Sequence, residues 1–523
     1  MAPGRLPALL GCVLAWAAWG SSGRPAAAPL HLTVGGEVLF TVSDAFVSYT
    51  IDSAAVCSKG WTFPSNVDDV TIARVKLLSY PGLVIRFGGT SADNEQFRDA
   101  STPLLPRLPT VANGGLGKDG CNITAAQWRD LAAFAASVNA SLVYGIDSLL
   151  RKDAQPEGAI DLRNANGLLD LAASDPSWLT AGLGYELGNE PLAWFQGHYT
   201  NLTPAAHAAD FAPLRRSIAT TFKGKGKLPL TIGPDVYGLT KRGGAATTYL
   251  TDFLAARPAV DIVTIHLYSL MDGHNLSAAI FSNSTRLDVS RQSASAARAI
   301  VDAAPDFGPS TPLWVGEGSP SWQVVCDGGC GALGSNITFE LAYLDQLGSF
   351  ASSGVSLFAR QCLNSVINPQ TDHSGGVTPG FWSGILWKKL MGNAALNVSA
   401  AAGFPAGIRA YAHSTPPALG AKGGTTLMLL NLNAVPAQVS PSWPARACAT
   451  DEAHRYTLSA GPETRNCSSW GDCGATVLLN GKTLSFASKD AVTLPSLEGV
   501  ASGCKNVALP PHTVTWLVVA GSV

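Results

Sequence analysis

The chain has 523 residues, of which 46% are hydrophobic and 14% are charged, and its formal net charge at pH 7 is −2. This length accommodates one large and one smaller domain, and the apolar content excludes an intrinsically disordered protein. A charge so close to neutral excludes a protein that coats itself with nucleic acid or another polyanion.

The first residues predict a secretory signal peptide over 1–28. Arg5 supplies the positive charge, an apolar stretch covers 9–19, and small residues follow. The apolar stretch is too short to span a bilayer, so we expect no integral membrane span in the mature chain. Peripheral association with a membrane or matrix stays open.

Glycosylation sequons and cysteines agree with export. Eight N-x-S/T sequons start at Asn122, Asn139, Asn201, Asn275, Asn283, Asn336, Asn397 and Asn466. We therefore expect a secreted protein, or one sent to the lysosome or vacuole. The spacing of the cysteines favours disulfide bonds over a zinc site. Plausible pairs are Cys57–Cys121, Cys448–Cys504 and Cys467–Cys473. The nine cysteines after Cys12 leave at least one free thiol, for which buried Cys362 is the candidate.

Apolar, β-branched stretches recur along the next part of the chain, each ending at polar residues and followed by a helix-like segment. They cover 45–52, 82–90, 140–148, 182–190, 228–235, 261–269, 312–319 and 354–361. Alternation of strands and helices, with continuously apolar strands, predicts a parallel sheet covered by helices. Eight such units predict an α/β fold with a (β/α)8 TIM barrel over 45–395.

After the predicted barrel, the alternation of strands and helices gives way to short strands alone. Short strand-like stretches at 425–433, 475–486 and 512–521 are separated by turn residues. This pattern predicts a C-terminal antiparallel β-sandwich domain over 396–523. The N-terminal segment 29–44 precedes the barrel, and we expect its strands to contribute to the same sandwich.

Polar residues gather at the carboxyl ends of the predicted strands, where active sites of such barrels lie. They are Asp52, Gly88-Gly89-Thr90, Asp147, Asn189-Glu190, Asp235, His266 and Tyr268, Glu317, and Arg360-Gln361.

Glu190 ends strand four in "GYELGNEP" and Glu317 ends strand seven in "LWVGEGSP". Those strands face each other across the barrel mouth. Cleavage of a glycosidic bond needs one carboxylic acid and one carboxylate, about 5–5.5 Å apart when configuration is retained. We therefore predict a retaining glycoside hydrolase with Glu190 as acid/base and Glu317 as nucleophile.

The neighbouring residues fit these roles. Asn189 can bond the 2-hydroxyl of the sugar, and the Tyr268 phenol can donate to Glu317. Burial and the charge of Glu317 should raise the pKa of Glu190. Glu186, four residues earlier, is interpreted as a structural acid. His266 is interpreted as a hydrogen-bonding residue of the site wall, and no metal or cofactor is predicted.

The motifs "IRFGGT", "YGIDSLLR", "YELGNEP", "GPDV" and "FARQ…LWKKLMG" occur in collinear order. Together they resemble the heparanase and plant β-glucuronidase group, glycoside hydrolase family 79 of clan A. The resemblance implies retention, with Glu190 as acid/base and Glu317 as nucleophile. It also implies sugar contacts from Asp52, Thr90, Asn189 and Tyr268, and an aromatic contact from Trp322.

The chain departs from that family after "RQ", where the Gly-Asn-Tyr segment that helps hold a uronic carboxylate is not visible. Lys241, Arg242 or Arg360 could supply a cation instead. A long excised linker is not visible in the sequence either, so we expect one uncut chain. We also expect a monomer. The near-neutral surface favours a lightly charged, plant- or alga-like cell-wall glycan over a heavily sulfated one.

The function predicted from sequence is heparanase-like cleavage of β-glucuronide or related uronic-acid linkages in glycans, with no nucleic-acid partner. One alternative is another clan A retaining glycosidase of the arabinofuranosidase, xylosidase or glucosidase type. A second is a non-catalytic carbohydrate-binding homologue. The sequence leaves the aglycone, endo or exo action and the final compartment open.

Overall fold

The computed structural model describes residues 28–53, 67–106, 121–154, 158–192, 202–239, 244–270, 282–321, 337–367, 377–420, 423–444, 447–461 and 476–521. Several sequence predictions fall outside these ranges. They concern the signal segment up to residue 27, Cys57, Lys241, Arg242, Trp322 and the pair Cys467–Cys473.

The described residues contain strands and helices in the following order. The strands are β1 Leu30–Thr41, β2 Val47–Asp52, β3 Val84–Gly88, β4 Glu95–Arg98, β5 Cys121–Thr124, β6 Ser141–Ile146, β7 Gly182–Leu187, β8 Leu230–Tyr237, β9 Ile262–Tyr268, β10 Leu313–Ser319, β11 Leu357–Arg360, β12 Ala394–Ala400, β13 Ile408–Ser414, β14 Thr425–Asn431, β15 Ala437–Ser442, β16 Ala453–Ala460, β17 Val477–Leu479, β18 Lys482–Thr483, β19 Val500–Ser502, β20 Val507–Leu509 and β21 Thr513–Val519. The α-helices are α1 Asp69–Leu77, α2 Ala125–Ser137, α3 Arg163–Ala172, α4 Pro176–Ala181, α5 Pro204–Thr221, α6 Ala245–Ala255, α7 Ser284–Ala303, α8 Ile337–Ser352 and α9 Pro379–Leu390.

Eight parallel strands close into a barrel, which confirms the predicted fold class. Its order around the barrel is β2-β3-β6-β7-β8-β9-β10-β11, so neighbours in sequence are neighbours in space. Each of the eight apolar stretches singled out in the sequence supplies one strand. A cluster made of strand residues alone includes Val84, Val143, Ile232, Ile262 and Trp314. Such a cluster fills the barrel as a packed core rather than leaving a pore.

Helices cover the outside of the barrel because their apolar faces pack against the strands, and their ends carry recognisable caps. The Thr124 hydroxyl accepts from the Gln127 backbone N–H at the start of α2, and the Gln127 side chain bonds back to Thr124. Thr203 accepts from Ala206 N–H in the same way at the start of α5, with Pro204 at the first helical position. Both motifs satisfy backbone donors that a helix start leaves unpaired.

The second sheet contains β1 and the strands from β12 onward. It is antiparallel except that β1 runs parallel to β15 while pairing antiparallel with β12. The parallel pair arises because β1 enters from the start of the chain, before the barrel. Leu429 of β14, Leu517 of β21, Val439 of β15 and Leu509 of β20 join one apolar cluster. The sheet therefore folds over on itself around a core of its own.

Helix α8 joins the sheet to the barrel. The Tyr411 hydroxyl of β13 donates to Asp345 Oδ1 at 2.7 Å, and Arg409 Nε lies 3.5 Å from the same oxygen. Gly348 permits this approach, since a Cβ there would lie 2.3 Å from the Tyr411 ring. The barrel therefore rests on the sheet through a buried polar contact as well as apolar packing.

Two cysteine predictions can be judged in the described residues. Cys448 and Cys504 form the expected disulfide bond, with Cα atoms 6.1 Å apart. The prediction of a free thiol at Cys362 was wrong, because Cys362 is disulfide-bonded. Burial does not distinguish the two states, because it is equally compatible with a free thiol and with a disulfide. Within the described ranges, no helix has the length and apolar character needed to cross a membrane.

Candidate active site

Glu190 and Glu317 lie at the carboxyl ends of β7 and β10, the fourth and seventh strands of the barrel. One carboxylate oxygen of each, together with a ring nitrogen of His266, falls in a group whose atoms all lie within 4.8 Å of one another. The Glu190 side chain is 18% exposed and that of Glu317 is 9% exposed. The two carboxyl groups thus face each other in a largely enclosed site that is still open to solvent.

An irregularity of the sheet brings Glu317 into this position. The pairing of β10 with β9 shifts by one residue between Val315 and Glu317, so that Glu317 lies opposite His266. An extra residue of this kind re-aims the side chains that follow it, and such features are common beside active sites. Glu190 is aimed by its backbone, whose φ of 47° lies in the left-handed region.

Each oxygen of Glu317 accepts a hydrogen bond from a different partner. The Tyr268 hydroxyl donates to Oε1 at 2.6 Å, which is the contact expected from the sequence. The Arg86 guanidinium donates through Nη1 to Oε2 at 2.7 Å. Charge-assisted bonds of this length fix the orientation of a carboxylate and stabilise its negative charge.

Arg86, on β3, is the centre of the site. Besides Glu317, it contacts Glu186 Oε2 at 2.6 Å, Asn189 Oδ1 at 2.9 Å and Asp235 Oδ2 at 3.3 Å. Burial disfavours its charge, but Glu186, Asp235 and Glu317 more than compensate and raise the pKa of Arg86 well above its ordinary value.

The first glycine of "FGGT" makes room for this arginine. A Cβ at Gly88 would lie 2.5 Å from the Arg86 Cζ atom. Any side chain at this position would therefore displace the guanidinium from its carboxylate partners. The glycine belongs to the geometry of the site, not only to the turn.

His266 is fully buried between two carboxylates. Its Nδ1 lies 3.0 Å from Glu190 Oε1, and its Nε2 lies 3.4 Å from Asp235 Oδ1. Burial acts to lower the pKa of His266, but Glu317 and Asp235 raise it to about 10. Burial acts to raise the pKa of Asp235, but His266 and Arg86 hold it at about 2. At neutral pH His266 is therefore a cation that donates to Glu190 and is anchored by Asp235.

The remaining two glutamates hold their protons more tightly than usual. Burial raises the pKa of Glu190, and the charge of Glu317 adds to this, while the bond and charge of His266 act in the opposite direction. Burial raises the pKa of Glu186 to about 8 in spite of its contact with Arg86, because Asp235 also crowds it. Glu186 is 1% exposed and contacts Arg86, and its role as a structural acid stays a prediction.

Asn189 is held from two sides. Its side-chain Oδ1 accepts from Arg86, and its backbone N–H donates to Asp93 Oδ2 at 2.9 Å. The other oxygen of Asp93 accepts from the Ser148 hydroxyl at 3.3 Å. Asp93 therefore ties the segment that carries Asn189 and Glu190 to the neighbouring strand end.

The structure places the other predicted site residues as follows. Asp52 lies at the end of β2 and accepts from Gln361 Nε2 at 3.0 Å. Thr90 is exposed at the start of the short helical turn that follows β3. Arg360 is not brought to the cluster. Its guanidinium is 1% exposed, binds both oxygens of Glu340 at 2.8 and 2.9 Å, and stacks on Tyr343. Lys241 and Trp322 lie outside the described residues.

Sequence reasoning missed Arg86 and Asp93 and left Asp235 without a role. An arginine inside the apolar stretch "GLVIRFGGT" was an available signal for Arg86, because a buried charge needs a partner. Asp235 ends a strand, but nothing in the sequence connects it with His266. Asp93 lies in the turn after β3, a type of segment whose contacts sequence patterns do not determine.

A metal ion is one group this geometry could hold, through Glu190, His266 and Glu317. His266 Nδ1, Glu190 Oε1 and both oxygens of Glu317, however, already bond to protein partners, and the Arg86 guanidinium in contact with Glu317 would repel a cation. The arrangement is better suited to proton transfer. It offers one buried carboxyl group with a raised pKa and, within 4.8 Å, one carboxylate held by two donors.

Comparison with known proteins assigns a family. Residues 44–348 match the model described as glycosyl hydrolase family 79, N-terminal domain. Heparanase from Bos taurus is 26% identical over 447 residues, which cover 78% of this chain and 76% of that protein. Baicalin-beta-D-glucuronidase from Scutellaria baicalensis is 22% identical over 389 residues, which cover 69% of this chain and 68% of that protein.

Solved structures share the fold. A 4-O-alpha-L-rhamnosyl-beta-D-glucuronidase from Fusarium oxysporum 12S has a TM-score of 0.63 at 15% identity and covers 93% of this chain and 100% of its own. A family 51 alpha-L-arabinofuranosidase from Bifidobacterium longum has a TM-score of 0.60 at 13% identity, with coverage of 95% and 100%. Both likenesses support the barrel with its accompanying sheet.

Proposed function

This chain belongs to glycosyl hydrolase family 79 and is a glycoside hydrolase, and from this premise we propose that it cleaves β-glucuronide linkages with retention of configuration. Glu317 is the nucleophile and Glu190 is the acid/base. The observation that carries the proposal is the approach of the two carboxyl groups, with oxygens within 4.8 Å. Retaining enzymes keep these groups about 5–5.5 Å apart, whereas inverting enzymes need about 6.5–9.5 Å for an intervening water.

In the first step, Glu317 attacks the anomeric carbon while Glu190 donates its proton to the departing oxygen. The raised pKa of Glu190 keeps this proton available at mildly acidic pH. Because His266 Nδ1 bonds to Oε1 of Glu190, the transferable proton resides on Oε2. The hydrogen bonds from Tyr268 and Arg86 keep Glu317 in line for attack.

In the second step, Glu190 accepts a proton from water, whose oxygen attacks the anomeric carbon and releases Glu317 as a carboxylate. The ester formed on Glu317 has lost its negative charge, which removes one of the causes that raise the pKa of Glu190. Cationic His266 remains in contact and favours the ionised form of Glu190. The same residue can therefore release a proton in one step and accept one in the next.

The glucuronide preference is supported by the family and by the named activity of relatives such as baicalin-beta-D-glucuronidase. Arg360 is engaged by Glu340 and does not supply the cation for a uronic carboxylate. Lys241 or Arg242 remains the candidate for that contact. Export through the secretory pathway, supported by the sequons and the signal-like first residues, completes the proposal.

Covalent trapping tests the reaction and the sugar together. A cyclophellitol-type glucuronide should label Glu317 with a single sugar residue, detected by mass spectrometry of a proteolytic digest. The Glu317→Gln variant should remain unlabelled. Labelling of another residue, or no labelling while a glucose- or arabinose-configured trap reacts, would overturn the assignment.

Stereochemistry gives an independent test. Proton NMR of an aryl β-glucuronide digest should show the β-anomer of glucuronic acid first and its mutarotation afterwards. Initial appearance of the α-anomer would mean inversion and would contradict the double displacement.

A further inference from the structure

A cavity of about 530 Å³ lies at the opposite end of the barrel from Glu190 and Glu317. It is bounded by α1, α9 and two loops of the second sheet. Its apolar wall comes from Leu77, Ile385, Met391, Leu419, Leu494 and Leu497. Since the barrel strands are about six residues long, it lies roughly 20 Å from the catalytic carboxyl groups.

Lys388, in the last turn of α9, is one of the residues that line this cavity, and it is mostly withdrawn from solvent. The residue is 9% exposed, and its ammonium donates to the Gly82 carbonyl. Among the described residues it forms no salt bridge within 4.0 Å. Burial lowers the pKa of Lys388 to about 7, even though Asp44 acts to raise it. A buried ammonium with so little compensation is costly and is uncommon in a purely structural position.

The rim of the cavity adds further positive charge. Lys76 and Lys389 line it together with Lys388, and the one carboxylate in the lining, Asp44, accepts from the Asn393 amide at 2.7 Å. A second cavity of about 670 Å³ shares Asp44, Lys76 and Tyr80 with the first. Lys76 and Lys389 lie in the last turns of their helices, where a cation is favoured in any case. Lys388 needs another explanation because its ammonium is buried.

We propose that this cavity is a binding site for a small amphipathic anion, with an apolar body against the leucines and one carboxylate paired with Lys388. The volume falls within the range of about 300–1,000 Å³ that is usual for small-molecule sites. The mixture of apolar walls with a single buried polar group is also typical of such sites. These walls lie at the opposite end of the barrel from Glu190 and Glu317, so the ligand is distinct from the glycan substrate.

The test uses 8-anilinonaphthalene-1-sulfonate, whose fluorescence rises when its apolar body and single negative group enter such a site. The full-length protein should show saturable binding at one site per chain. Lys388→Met keeps the length and apolar stem of the side chain but removes the charge, so the affinity should fall at least tenfold. Lys223→Met, at an exposed lysine, is the matched control and should bind as the wild type does.

Displacement and a second variant complete the design. Decanoate should displace the probe at a concentration at least tenfold lower than decanol, because only decanoate can pair with Lys388. Leu419→Trp, which fills the rim, should abolish binding, and it decides the question if Lys388→Met fails to fold. Glu317→Ala should bind the probe normally. Equal binding by Lys388→Met, equal displacement by decanol, or no saturable binding would each overturn the proposal.

Discussion

Replacing Arg86 by methionine tests the centre of the site. The substitution keeps most of the aliphatic stem but removes a guanidinium that is in contact with Glu186, Glu317, Asn189 and Asp235 at 2.6–3.3 Å. Because Arg86 is 2% exposed, water cannot replace these contacts. Removing one partner of a buried ion pair typically costs about 3–5 kcal/mol, and we expect the free energy of unfolding to fall by at least this amount at pH 8.

The loss should depend on pH with a defined sign. Without Arg86, the folded-state pKa of Glu186 rises further above its unfolded value, and the pKa of Asp235 rises from its lowered value of about 2. Protonation then relieves the repulsion, so stability is regained at low pH and lost as pH rises through the folded-state pKa values. Since the pKa of Glu186 is already about 8, the variant should be less destabilised at pH 5 than at pH 8.

Guanidinium denaturation followed by tryptophan fluorescence measures both values. Arg163→Met is the matched control, because the Arg163 side chain is 65% exposed and water can replace its 2.6 Å contact with Asp161; contacts open to solvent contribute little. Adding Glu186→Gln to Arg86→Met should recover part of the loss by removing one stranded carboxylate. If Arg86→Met behaved like Arg163→Met, or lost the same stability at both pH values, the electrostatic role assigned to Arg86 would be refuted.

Three further predictions concern turnover. Glu190→Ala should lower kcat/KM about 10²–10⁴-fold for alkyl and phenyl glucuronides. The loss should be far smaller for a dinitrophenyl glucuronide, because its leaving group needs no protonation. Equal losses on both kinds of substrate would contradict the acid/base role. His266→Gln removes a cation that lowers the pKa of Glu190, so the pKa of Glu190 should rise. The alkaline limb of the kcat/KM–pH profile should therefore move to higher pH, and a move to lower pH would contradict the role assigned to His266. Asp93→Ala removes the acceptor of the Asn189 backbone N–H and should lower kcat/KM more for poor leaving groups than for good ones. Asp252→Ala, at an exposed acid on α6, is the control and should leave kcat/KM unchanged for both. An equal loss for both leaving groups in Asp93→Ala would indicate a general structural effect.

Local pattern was enough to predict much of this molecule. The eight apolar stretches form the barrel strands. Strands of a parallel sheet are buried on both faces, so a continuous apolar run of strand length between helices is typical of them. The approach of Glu190 to Glu317 was predictable because barrel strand ends converge on one mouth. The Tyr268 bond to Glu317 followed from adjacent strand ends. The parallel pairing of β1 with β15 was not foreseen, since it depends on which strand of the distant sheet meets the start of the chain.

The sequence by itself determined the barrel, the accompanying sheet and the positions of the paired acids, because these depend on periodicity and on the order of elements. Only the tertiary structure decided which side chains face the site. At the end of β11, Arg360 points out to Glu340 while Gln361 points in to Asp52, and a shift of one residue would exchange them. The irregularity before Glu317, the meeting of Arg86 with its acids and the placement of His266 against Asp235 all join residues far apart in the chain. Such contacts depend on strand register and on closure of the barrel, and no local pattern encodes them.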